Sequence, residues 1–214
     1  MARQRTSHRT PRRRSYHHKD LRHALVSAAL NALPEVGAER LSLRAIARLA
    51  GVSEAAPYHH FADKDALLGA VAAECAQLLL TALEAAVAEA GGDQRKRFQL
   101  TGIAYVRFAV AHPAHFRAME IPGLIAKMPS EVRDRLDDFY RKEEARMRRA
   151  QRDGLFAALP FGNLILAATS LVHGLAHLMI DGATEVRPGD VEGAAEVARA
   201  VTSILGVGLL PRDR

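Results

Sequence analysis

The sequence predicts an all-α chain, a small N-terminal helical bundle followed by a larger helical body, about nine helices in all. Three observations predict it. Apolar residues recur at spacings of three and four along most of the chain, and no stretch alternates as a strand does. The periodic segments are separated by glycine, proline and capping residues. An apolar share of 49% over 214 residues is enough for a core.

The elements follow in order. Leu25, Ala28, Ala29, Ala32, Leu33 and Val36 mark one face of a first helix, distorted by Pro34 and ending near Gly37. Ser42 is a helix-capping residue before Leu43, Ile46, Ala47 and Ala50, and Gly51-Val52 ends that second helix. Ser53 is expected to cap a third, very short helix. Asp63 caps a fourth that runs through Leu67, Leu68, Val71 and Leu78 to about Ala90, where Gly91-Gly92 breaks the chain. Five more helices are expected over residues 93–112, 113–120, 129–152, 160–181 and 190–205, the last capped by Asp190.

Charge divides the chain unevenly. The net charge is +6, and residues 1–19 hold seven Lys or Arg with no acidic residue, so the remainder is nearly neutral. These residues lack apolar periodicity and read as a disordered cationic arm suited to a polyanion such as nucleic acid, or as a solubilising tail. One cysteine, Cys75, excludes an internal disulfide framework and a Cys-based zinc site. A reducing, cytoplasmic setting is the natural expectation. The run RRRSY before HALVSAALNAL imitates a twin-arginine signal, but Arg22 and His23 interrupt it and the pattern continues as helix. Residues 155–180 carry no charge and are long enough to span a bilayer. Pro160, Gly162, Asn163, His173 and His177 argue for a buried helix and no membrane.

The second and third helices flank a tight glycine-containing turn, the layout of a helix-turn-helix. The stretch LSLRAIARLAGVSEAAPYHHFADKDALL, residues 41–68, resembles the DNA-binding domain of the TetR family of bacterial transcriptional regulators. The matching features are Leu43-x-x-Ile46-Ala47, Gly51-Val52-Ser53, Tyr58-x-His60-Phe61, and Lys64 before Leu67-Leu68. That resemblance implies DNA contacts at the tip: Tyr58 and His59 on phosphate, His60 beside them, and Lys64 as a point charge for phosphate. Ser42 and Arg44, opening the second helix, are further candidates for backbone contact. Ser53 offers a helix start to phosphate, and small Ala55 and Ala56 permit close approach to the groove. Val52 and Phe61 are expected to be the buried plugs. Two residues depart from a simple reading. Pro57 cannot donate a helix bond and is expected to shape the short helix. Glu54 places a negative charge at the groove, either accepting from a cytosine amino group or serving the helix dipole. Residues 20–68 hold five basic against six acidic residues, so this domain is not itself basic.

Residues 69–214 balance 18 basic with 18 acidic residues. The resemblance implies that this part binds a small effector and dimerises through its last two helices, so a paired, two-fold body would meet a palindromic operator. SLVHGLAHLMIDG, residues 170–182, is similar to the tail of a WHG-type subset, with His173-Gly174 matching and no Trp in the chain. AHPAHFRAME, residues 111–120, resembles another common segment of the family. Candidate residues for a hydrophobic effector are Tyr105, Phe108, Phe116, Met119, Tyr140, Met147 and His173, although core packing explains the same residues. His173, His177 and Asp181 share a helical face at intervals of four, a metal trio or, preferentially, buried hydrogen-bonding groups. No nucleophile-base pattern and no phosphate loop is visible, so neither enzyme nor cofactor is expected. The sequence thus reads as a homodimeric DNA-binding regulator, a repressor released by a small molecule. The alternative is a helical ligand-binding protein that no longer reads DNA.

Overall fold

The structure, a computed structural model, describes residues 18–156 and 159–209. The expected arm lies outside them except for its last two positions, which begin the first helix. The described residues form eight α-helices and two 3-10 turns. They are α1 His18–Arg40, α2 Leu43–Leu49, a 3-10 turn Ala56–His59, α3 Lys64–Ala90, α4 Gln94–Ala111 and α5 Pro113–Met119. A second 3-10 turn, Ile125–Lys127, precedes α6 Ser130–Arg152, α7 Phe161–Ile180 and α8 Val191–Leu209.

The caps named from sequence explain most of the boundaries. Ser42 Oγ accepts from the Ala45 amide at 3.2 Å, Asp63 Oδ1 from Ala66 at 2.8 Å, and Asp190 Oδ1 from Gly193 at 2.9 Å. Each satisfies a donor that a helix start leaves free, an effect of about 1 kcal/mol. In α1 the helical geometry breaks at Gly37, whose φ of 72° favours glycine. Ser53 departs from expectation. The short segment begins only at Ala56, no side chain caps it, and the Ser53 backbone carbonyl receives the Ala56 amide at 3.0 Å. Pro57 then falls in the first turn of a 3-10 helix, where a missing N–H costs nothing.

One helix joins the two bodies. α3 crosses the boundary expected at residue 68 without a break, and its buried face runs from Leu67 to Ala90. Its first half packs with α1 and α2 around Leu25, Leu33, Ile46, Phe61, Leu67 and Leu68. The same core takes in Ala118 of α5 together with Leu124 and Met128 of the connection to α6. The helical body therefore presses directly on the N-terminal bundle. The second half of α3 packs Leu79 and Leu83 against Phe108, Phe116 and Ala176. Farther out, α4, α7 and α8 enclose Ile103, Val106, Leu175 and Ala198.

Both α3 and α7 are long and apolar enough to cross a membrane by length and composition, and they differ in how far that apolar surface is covered. More than half of the apolar stretch in α3 lies inside the protein, but only 28% of that in α7 does. α3 spends its apolar surface on the core, whereas α7 leaves an apolar face outside, with Leu178 51% exposed.

Candidate nucleic-acid interface and helical cavity

The tip between α2 and α3 is a single 3-10 turn fixed from below. Pro57 and Phe61 are buried, and Val52 is half-buried against the same core. The Arg22 guanidinium lies 5.4 Å from the centre of the Phe61 ring. A four-residue turn has no stability of its own in water, so this anchoring holds it in place. Above the anchor, Ser53, Glu54, Ala55, Tyr58 and His59 are exposed, and Ala56 and His60 are half-buried. Pro57 thus belongs to the anchor and not to the outward surface.

Two charged residues have partners that sequence reasoning missed. Glu54 Oε1 accepts from Arg48 Nη1 at 2.7 Å, and Arg44 Nε stands 4.0 Å from its other oxygen. Arg44 and Arg48, one turn apart on α2, therefore offset the carboxylate at the tip. Lys64 Nζ donates to the carbonyls of Glu39 and Ala38, at 3.0 and 3.3 Å. It closes the end of α1, a contact across 25 residues of chain that no local pattern shows. Ser42 and Arg44 are both exposed at the start of α2.

In the body, α4, α6 and α7 surround a cavity of about 650 Å³. Phe98, Thr101 and Tyr105 give one face of α4 to it, with Gly102 keeping the wall thin: an added Cβ there would stand 3.2 Å from both Val172 and Thr202. Tyr140 and Met147 supply the α6 wall, and Phe156, Phe161 and Ile165 the far side. Charge is confined to paired groups. Arg97 Nη1 lies 3.2 Å from Glu143 Oε1 and Nη2 donates to the Gly91 carbonyl at 2.7 Å. Arg148 sits over the Phe161 ring at 3.9 Å. Burial pushes the Tyr105 hydroxyl up to about 12, with the carboxylate of Glu120 adding to it, so the phenol stays protonated.

Of the seven residues expected around an effector, Tyr105, Tyr140 and Met147 line this cavity. Phe108 and Phe116 lie instead in the adjoining core, and Met119 packs against that core and the N-terminal one. His173 stands behind the wall, its Nδ1 2.8 Å from the Tyr105 hydroxyl. Helical periodicity marks the buried face, but not which part of it encloses space. The expected trio on α7 also divides. Asp181 pairs with Arg117 at 2.7 Å, and Glu120, at the end of α5, takes its place beside His173 and His177.

Comparison with known proteins fits this geometry. A profile of bacterial regulatory proteins of the tetR family matches residues 25–71. A second, described as a tetracyclin repressor-like C-terminal domain, matches residues 98–202. A protein of unknown function from Rhodococcus sp. RHA1 is 34% identical, with 93% of this chain and 100% of that one aligned and a TM-score of 0.68. A TetR family transcription regulator from Marinobacter aquaeolei VT8 is 24% identical over 84% of this chain and 94% of its own, at a TM-score of 0.65. The ketosteroid transcriptional regulator KstR2 of Mycobacterium tuberculosis shares the fold at 19% identity, covering 90% of this chain and 96% of its own, with a TM-score of 0.71.

Proposed function

Because the chain belongs to the TetR family of bacterial transcription regulators, we propose that it is a homodimeric repressor that binds a palindromic operator in the cytoplasm and leaves it when a small hydrophobic effector fills the cavity. The anchored tip carries this reading: Tyr58 and His59 stand exposed on a turn whose proline and phenylalanine are buried. Such a tip reaches a duplex without losing order on contact. The chain acts by binding, not by catalysis.

The outer faces of α7 and α8 supply the dimer. Ala167, Ser170, Gly174 and Leu178 form an exposed stripe on α7, and Ala200 and Ile204 one on α8. A monomer would leave this apolar surface in water. A two-fold axis through it presents two tips, and they must lie about 34–36 Å apart, or a multiple of that, to enter successive major grooves. The cavity falls within the roughly 300–1,000 Å³ typical of small-molecule sites, and its aromatic walls suit an apolar ligand. Occupation of the cavity needs to alter operator affinity by only about 1–3 kcal/mol to act as a switch.

The purified chain is expected to retard a palindrome from upstream of its own gene in preference to unrelated DNA. Equal retardation of both would overturn the proposal. In that assay Tyr58→Phe weakens binding to every sequence alike, by about 1 kcal/mol or roughly fivefold, because a phosphate contact carries no base information. A changed base preference would rule out the phosphate role. Glu54→Gln works in the opposite direction. Removing the carboxylate releases Arg44 and Arg48, so binding tightens and the slope of log affinity against log salt steepens by about 0.9 for each new phosphate contact. An unchanged slope would show that the two arginines stay off the backbone.

A further inference from the structure

We propose that Glu120, His173 and His177 form a binding site for a divalent transition-metal ion of the zinc class, connected to the cavity through Tyr105. The three side chains come from two elements. Glu120 is the residue that ends α5, and His173 and His177 lie one turn apart on α7. Their donor atoms fall within 4.8 Å of one another. His177 Nε2 is 2.5 Å and His173 Nε2 3.2 Å from the same Glu120 oxygen, so both imidazoles present the same nitrogen to one point. Two imidazoles and a carboxylate suit zinc, nickel or cobalt, whereas magnesium and calcium prefer an all-oxygen shell. The cluster is one-third to two-fifths exposed, which gives an ion a way in and leaves a fourth position for water.

The second nitrogen of His173 links the site to the cavity. His173 Nδ1 lies 2.8 Å from the Tyr105 hydroxyl and its Nε2 3.2 Å from Glu120 Oε1, so a ring with its proton on Nε2 accepts the Tyr105 hydroxyl proton at Nδ1. Metal ligation takes the Nε2 lone pair and leaves the ring proton on Nδ1. His173 then donates to the Tyr105 oxygen, and the phenolic hydrogen turns to an acceptor in the cavity. This is the usual relation of a metal-bound histidine to an outer-sphere partner, and here that partner lines the cavity. The ion would also tie the end of α5 to α7, and Ala118 of α5 lies in the core shared with α1.

The test is zinc binding to the full-length chain after chelation and dialysis, followed by competition with a chromophoric chelator and by cobalt absorption in the visible. The expected result is one zinc per chain, held at micromolar affinity or tighter, and a cobalt spectrum of four-coordinate intensity. His177→Ala and Glu120→Ala are expected to lower zinc affinity at least a hundredfold and remove the cobalt bands. Tyr105→Phe lowers it by about tenfold. Metal-free melting is expected to be the same for His177→Ala, Glu120→Ala and the parent, because these two side chains are part-exposed. Zinc affinity unchanged in both ligand variants would overturn the site and place the metal on other histidines, such as His8 and His17 of the arm. Failure of the chain to hold zinc better than magnesium would overturn it equally.

Discussion

Leu178→Glu combined with Ile204→Glu will leave the chain folded but monomeric, and operator binding will be lost. Both side chains are mostly exposed in the single chain, Leu178 at 51% and Ile204 at 74%. Substitutions at such positions normally change monomer stability by less than about 0.5 kcal/mol. In a dimer built on α7 and α8 the same positions are desolvated. An unpaired charge buried there costs on the order of 3 kcal/mol, and two-fold symmetry repeats each one. The dimer is therefore weakened by several powers of ten. A lone tip keeps half of the contacts and none of the groove spacing. Sedimentation and helix content distinguish the outcomes: a folded monomer supports the interface, and a persistent dimer would mean that the chain pairs through another surface.

Gly69→Ala will destabilise the protein by about 1–3 kcal/mol, although alanine is normally worth close to 1 kcal/mol over glycine inside a helix. Gly69 lies in α3 beneath the connection to α6. A Cβ at this position would stand 2.6 Å from the Lys127 backbone oxygen and 3.9 Å from the Pro129 ring. The obstacle is backbone, so it cannot rotate away. The connection is further held by Lys127 Nζ on Asp65 Oδ1 at 2.7 Å, a hydrogen bond that draws the Asp65 carboxyl below its usual range. The alanine must lift this strap from α3 or bend the helix. Gly162→Ala is the control, because nothing lies within 4 Å of its added Cβ, and it is expected to be neutral or stabilising. A gain in denaturant midpoint for Gly69→Ala would show that the strap yields freely.

The helices were legible because their signals are local. Ser42, Asp63 and Asp190 each bond an amide three residues ahead, and the apolar spacing of α1 to α3 reflects the core those helices share. The tip was legible in composition but not in geometry. Ser53 looks like a cap, yet Pro57 fits only in an opening turn, so the segment starts later and tightens into a 3-10 helix. Partners brought together by tertiary packing left no mark. Lys64 reaches carbonyls 25 and 26 residues away, and Glu120 meets His177 across 57 residues. Asp181 had the right spacing to join the two histidines but pairs with Arg117. Spacing along one helix fixes a shared face, but it says nothing about which neighbour faces it.

The unbroken run of α3 also has a mechanical consequence. At 27 residues it is a rod about 40 Å long, with the tip at one end and Leu83, which also lines the cavity, toward the other. A tilt of roughly 5° about its far end carries Lys64 through about 3.5 Å, by the rise of 1.5 Å per residue. In a symmetric pair the two rods swing in opposite senses, which doubles the change in the span between the tips. In the proposed operator-bound pair, a side-chain movement of an ångström beside Leu83 would thereby be geared up into a misfit over one pitch of the double helix.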